Sequence, residues 1–193
     1  MLEQYFSQLI KEELRHEPTP SQARAIRLLS RFQLTPCANA LVILRGYAGT
    51  GKTSLVAALV RVLKKLQRPV VLLAPTGRAA KVFSLYAGHP AYTIHRFIYR
   101  QDTFKGEDTR FSLGFNSLKN ALFIVDEASM IASGEGSFSE SVFGTGQLLD
   151  DLLRFVYGGK NGCRLIMVGD TAQLPPVGEA DSPALQDDVF TRM

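Results

Sequence analysis

The sequence predicts an α/β domain, a parallel sheet with helices on both faces and a small N-terminal helical segment. Three observations predict it. Short apolar runs at residues 40–45, 70–74, 121–125 and 164–168 alternate with stretches of helical period. A glycine-rich turn joins the first run to the helix after it, giving a strand–helix–strand order that implies a right-handed crossover between parallel strands. Two acids, Asp126 and Glu127, follow the third run directly.

The elements follow in order. Leu2, Tyr5, Phe6, Leu9, Ile10 and Leu14 recur at spacings of three and four, a helical stripe over residues 2–14. His16-Glu-Pro-Thr-Pro breaks it. Thr19 is placed to cap a second helix with Pro20 at its first position, running to about residue 32. A connector at 33–39 leads to the strand at 40–45, the glycine-rich turn, a helix through Leu66 and the strand at 70–74. Helices are expected near 77–87 and 94–99, and the polar stretch 100–117 suits a loop or small hairpin. After the strand at 121–125, residues 131–146 hold four glycines, four serines and no basic residue, and read as a flexible loop. A helix at 147–157 and a strand at 164–168 follow, and Pro175-Pro176 ends the segment after them.

At 193 residues, 46% apolar and 21% charged, the chain has the makeup of one soluble globular domain able to bury a core. The division expected is a helical segment at 1–17 and the main domain at 18–193. No apolar run approaches the ~20 residues that cross a bilayer, so no membrane partner is expected. The N-terminus shows no basic stretch leading into an apolar one, and the two cysteines, Cys37 and Cys163, form no metal spacing. A cytoplasmic location is the expectation. The net charge of +4 hides an asymmetry. Residues 1–100 hold 15 Lys and Arg against 4 Asp and Glu, whereas residues 101–193 hold 7 against 14. A polyanionic partner and simple solvation of helix faces both account for that.

The strongest chemical signal is Gly46-Tyr-Ala48-Gly49-Thr50-Gly51-Lys52-Thr53, which fits G-x-x-x-x-G-K-[ST], the P-loop pattern, in its proper strand-to-helix context. Glycines let backbone N–H groups approach phosphate oxygens, and the following helix adds positive potential. Lys52 is expected to face the β- and γ-phosphates, and the Thr53 hydroxyl to ligate Mg²⁺; Ser54 completes the nucleotide-binding stretch. Asp126 is the candidate Mg²⁺ holder and Glu127 the candidate base toward water, although acids at strand ends also serve as solvated turns and helix caps. Gln173, in the polar turn after the fourth strand, could hydrogen-bond a γ-phosphate oxygen, or could belong to a turn stopped by prolines. His95 alone reads more readily as a capping or core histidine than as a ligand.

Together these segments resemble superfamily 1 DNA helicases, most closely the RecD-like group of exonuclease V alpha subunits. Between about Pro18 and Leu185, PTPSQARAI is similar to the glutamine-bearing motif, GYAGTGKTS to motif I and LLAPTGRAAKVFS to motif Ia. TIHRFI resembles the next DNA-contact motif, and VDEASM and VGDTAQLPPVG resemble motifs II and III. The resemblance implies a RecA-like motor domain that uses ATP and Mg²⁺ and moves on single-stranded DNA, 5′ to 3′. It implies that Gln22 reads the adenine edge and that Gln173 couples the γ-phosphate to bound DNA. Thr76, Gly77 and Arg78, with Thr93 and His95, would touch the strand's backbone, and Phe83, Tyr92 and Phe97 lie where bases could stack. The family uses two motor domains and this chain matches the first, so the second is an implied partner and the isolated chain is expected to turn over weakly. The alternatives are a nucleotide-binding module with little turnover of its own, an RNA helicase or another P-loop ATPase.

Overall fold

A computed structural model describes residues 1–37, 39–101, 111–132, 145, 147–159, 161–170, 172–173 and 182–186. Most of the stretch 131–146 and the Pro175-Pro176 stop lie outside the described residues. The helices are α1 (Leu2–Glu13), α2 (Pro20–Leu34), α3 (Lys52–Lys65), α4 (Gly77–Ala87), α5 (Ile94–Ile98) and α6 (Leu148–Tyr157). The strands are β1 (Leu41–Arg45), β2 (Val70–Ala74), β3 (Ala91–Thr93), β4 (Tyr99–Gln101), β5 (Phe111–Leu113), β6 (Leu122–Val125) and β7 (Arg164–Gly169). No helix among the described residues is long and apolar enough to cross a membrane.

Five strands form one parallel sheet in the order β1-β7-β6-β2-β3. Strand β3 is absent from the sequence reading, because three residues are too few to show a period. The hairpin option for residues 100–117 holds for its described part, where β4 pairs antiparallel with β5. The sheet order matters for function. β7, the last of the described strands, inserts between β1 and β6, so the segment after it emerges between the glycine-rich turn and the two acids.

Side chains alternate along the strands, and each face of the sheet has its own core. Leu72, Leu122, Ile124, Ile166 and Val168 face α1, α2, α3 and α4. Leu73, Phe123, Val125, Leu165 and Met167 face α5 and α6. There Phe97, Phe123 and Phe155 pack edge to face at centroid separations of 6.1, 5.9 and 6.2 Å, a favoured aromatic geometry. Phe83 is fully buried in the other core, so neither it nor this Phe97 cluster is a free stacking platform; Tyr92 keeps 39% of its surface exposed.

Helix α1 is built into this structure. Phe6, Ile10 and Leu14 join the core, the Ser7 hydroxyl donates to Ser30 Oγ at 2.8 Å, and Glu13 binds Arg61 at 3.0 Å and Lys65. Helix α2 starts as the sequence requires. Thr19 Oγ1 accepts from the Gln22 N–H, the Gln22 side chain accepts from the Thr19 N–H, and Pro20 stands at the first position.

Candidate nucleotide site

Every predicted site residue lies at or just beyond the carboxyl ends of the five sheet strands, or packs against them. The backbone ladder between β1 and β7 extends one step beyond β1, with the Gly46 N–H donating to the Gly169 carbonyl at 3.3 Å. The loop then turns through two left-handed glycines, Gly49 at φ +76° and Gly51 at φ +81°, which L side chains adopt only under strain. Gly51 has a second reason to lack a side chain. A Cβ there would stand 2.5 Å from Gln22 Nε2. That nitrogen donates to the Thr50 carbonyl at 3.0 Å while Gln22 Oε1 accepts from Thr19, so one buried amide fastens α2 to the loop.

Lys52 opens α3 with its ammonium folded into the loop, donating to the carbonyls of Gly46 and, at 2.9 Å, Tyr47. One residue on, Thr53 Oγ1 donates to Asp126 Oδ2 at 3.4 Å, joining motif I to motif II across 73 residues of sequence. Asp126 follows β6, its N–H held by the Leu73 carbonyl at 3.0 Å and its Oδ1 accepting from the Glu127 N–H at 3.0 Å. Burial pushes the Asp126 carboxyl above its ordinary value, with the neighbouring Glu127 charge adding to the rise against the Glu127 N–H, Thr53 and Lys52. A carboxylate drawn out of water, beside a threonine hydroxyl, is a hard oxygen pair of the kind Mg²⁺ takes alongside substrate phosphates and water.

Glu127 itself is left-handed, at φ 54° and ψ 37°. A non-glycine residue held there costs on the order of 1–3 kcal/mol and is typical of functional sites. The strain turns the chain sharply from β6 into the 3₁₀ turn Ala128–Met130. This turn brings in a residue that the sequence reading missed. Ser129 is fully buried and its hydroxyl donates to Gln173 Oε1 at 3.1 Å, which leaves the Gln173 NH₂ group as the amide's donor end. Gln173 is further fixed through its own N–H, which donates to the Asp170 carbonyl at 3.3 Å, with Asp170 buried. No periodicity links positions 44 residues apart, so only the fold reveals this pair.

Ala48, Gly49, Gly51, Lys52, Thr53, Ser54, Asp126, Glu127, Asp170 and Gln173 line a cleft of about 730 Å³, with Gln22 and Ser129 behind its wall rather than in it. Its far wall is α4, contributing Thr76, Arg78, Val82 and Tyr86. Arg78 is therefore shared ground: it belongs to the expected strand-contact motif, yet it lines the same cleft as Lys52. Thr76 caps α4 by accepting from Ala79 N–H at 3.2 Å, and Thr93 caps α5 by accepting from Arg96 N–H at 3.3 Å. Strand pairing sets Ala74 beside Thr93, so the two caps emerge from neighbouring strand ends. Gly77 follows the first cap. His95 follows the second, tilted against Tyr99 at 5.7 Å, and burial holds its imidazole below the ordinary histidine range.

Comparison with known proteins gives the family. The AAA domain family matches residues 33–179. The chain is 36% identical over 149 residues to the ATP-dependent RecD2 DNA helicase of Deinococcus radiodurans, covering 75% of this chain and 17% of that protein. It is 29% identical over 164 residues to the ATP-dependent DNA helicase PIF6 of Trypanosoma brucei brucei, covering 79% and 18%. The crystal structure of the Pif1 helicase from Candida albicans aligns with 82% of this chain and 34% of that one, at 21% identity and a TM-score of 0.48. The chain thus spans less than a fifth of the length of the two curated relatives.

Proposed function

The chain belongs to the AAA-domain family, and on that premise we propose that it is the first motor domain of an ATP-dependent DNA helicase, coupling ATP hydrolysis to 5′-to-3′ movement on single-stranded DNA. Residues 18–193 carry the motor, with 1–17 as the helical segment fastened to it, and the working location is the cytoplasm. The observation that carries the reading is the cleft: Lys52, Thr53, Asp126, Glu127 and the Ser129–Gln173 pair meet at one edge of the sheet.

The geometry supports a role for each residue. The glycine loop and the start of α3 offer backbone N–H groups to phosphate oxygens, and Lys52 would exchange its loop carbonyls for the β- and γ-phosphates. Gln22, fastened to the loop, would present its remaining amide capacity to the adenine edge. Thr53 and Asp126 would hold Mg²⁺, which when bound supplies charge neutralisation at the phosphates. Glu127 orients water and takes its proton. Gln173, steadied by Ser129, donates its NH₂ to a γ-phosphate oxygen and loses that bond on hydrolysis, so the segment after β7 senses the nucleotide's state. Positive charge opposite Lys52 would come from a second RecA-like domain.

The single strand would cross the neighbouring strand ends. A threonine that accepts a backbone N–H as a cap still has its own hydroxyl proton to give, and Thr76 and Thr93 would donate theirs to successive phosphates. Gly77 allows close approach, and Arg78 and His95 add donors. Phosphate neutralisation of this kind is sequence-tolerant and salt-dependent. The test is titration of labelled single-stranded oligonucleotides at several salt concentrations. Log K should fall with log[salt] at about −0.7 per neutralised phosphate, alike for unrelated sequences. A flat salt response would overturn the strand-binding part of the proposal.

A further inference from the structure

The opposite, amino edge of the sheet holds a second polar cavity, of about 340 Å³. At its wall stands Gln33, in the last turn of α2, 5% exposed and with its Nε2 meeting no hydrogen-bond partner. A buried donor left unmatched is costly, and native interiors match nearly all of theirs. Two arginines, Arg68 and Arg164, line the same space, and no acidic residue among the described residues does. Helices α2 and α3 both end here, and each brings roughly half a negative charge. Arg164 answers part of it by donating to the Phe32 carbonyl while lying over the Phe32 ring at 5.7 Å. Two full positive charges still exceed two helix ends.

The loops entering the strands are shaped around this space. Asn120, just before β6, is left-handed at φ 51°, and Gly162, just before β7, at φ 68°. A Cβ on Gly162 would stand 2.4 Å from Asn120 Oδ1, so glycine is what lets the Asn120 carboxamide occupy the cavity wall. Gln33, Arg68, Asn120 and Arg164 approach from four separate segments. A carboxylate has two oxygens to offer such a set, whereas a phosphate group has three or four spread tetrahedrally and carries close to two negative charges.

We propose that this amino-edge cavity is a phosphate-binding site, separate from the nucleotide cleft, in which Arg68, Arg164, Asn120 and the Gln33 amide hold inorganic phosphate or the terminal phosphate of a small monoester. It does not rest on the nucleotide reading. The experiment is site-resolved NMR of the chain during titration with inorganic phosphate, following the Gln33 side-chain NH₂ signals, with the Gly51 amide as reporter of the other site. Saturable shifts at Gln33 are expected. Arg68→Gln should weaken them about tenfold or more, a lost charged hydrogen bond, while the Gly51 response stays unchanged. In Gln33→Met, where the unmatched donor is gone, the Asn120 NH₂ signals should respond about tenfold more weakly than in the parent. A parallel titration with glycerol phosphate identifies the source: equal or tighter binding means the monoester, tenfold weaker binding the free ion. No saturable shift at Gln33, a response that acetate reproduces at equal concentration, or an undiminished one in Arg68→Gln would overturn the proposal.

Discussion

The carboxyl edge of the sheet has two halves built in different ways. On the side of β1, β7 and β6, hydrogen bonds run between elements far apart in sequence: Gln22 to Thr50, Thr53 to Asp126, Ser129 to Gln173. On the side of β2 and β3, Thr76 and Thr93 each serve the helix that begins beside them. The difference fits the two tasks of the proposed function. Phosphoryl transfer needs groups held in place before the substrate arrives, and cross-links between segments do that. Gripping a polymer of any sequence needs repeated donors on a stable edge, and local caps suffice. Arg78 stands where the halves meet.

The comparison can be broken by variants on its cross-linked side. The largest effect is expected for Glu127→Gln, which keeps the side chain's shape and loses its basicity. In a two-domain version of the protein, DNA-stimulated phosphate release should fall about 10²–10⁴-fold with nucleotide affinity retained, the usual range for a removed general base. Parental turnover would remove Glu127 from that role. Ser129→Ala should act less severely, lowering turnover about tenfold by freeing the Gln173 amide, roughly one lost hydrogen bond, while ATP affinity is unchanged. Equal losses in affinity and turnover would mean that Ser129 only supports the fold.

The smallest effect lies away from the edge, at the link that fastens α1. The Lys65 ammonium holds the Glu13 carboxyl below its ordinary value; burial opposes it, and the Arg61 guanidinium adds to the lowering. A depressed acid contributes stability that is present above the usual carboxylate range and lost as pH falls through its lowered value. Glu13→Gln should therefore lower the melting temperature at neutral pH by the equivalent of about 0.5 kcal/mol, and the gap should close in acid. A gap that persists at pH 2 would show that the charge is irrelevant.

The sequence disclosed the members of the cross-linked half better than its wiring. Lys52, Thr53, Asp126 and Glu127 were legible because glycine spacing and acids at a strand's end carry a physical reason in a few contiguous residues. The Thr19 cap was legible for the same reason. Which strand lies beside which was not, because buried parallel strands share one apolar composition and differ only in their pairing. Ser129 stayed hidden for want of any signal joining it to Gln173. The left-handed turn at Glu127 was equally silent, since glutamate does not announce a positive φ. Arg78 sat in a motif read as strand contact, and only the direction of α4 brought it to the cleft wall.

The most direct measurement is calorimetric titration of this chain with ATP, with Mg²⁺ and with EDTA, in the parent and in Lys52→Ala. The account predicts one site per chain, tightened by Mg²⁺, and a loss of about 30-fold or more in affinity when the Lys52 charge is removed from a protein whose circular dichroism is unchanged. Binding that ignores both Mg²⁺ and Lys52, or no saturable binding at all, would contradict it.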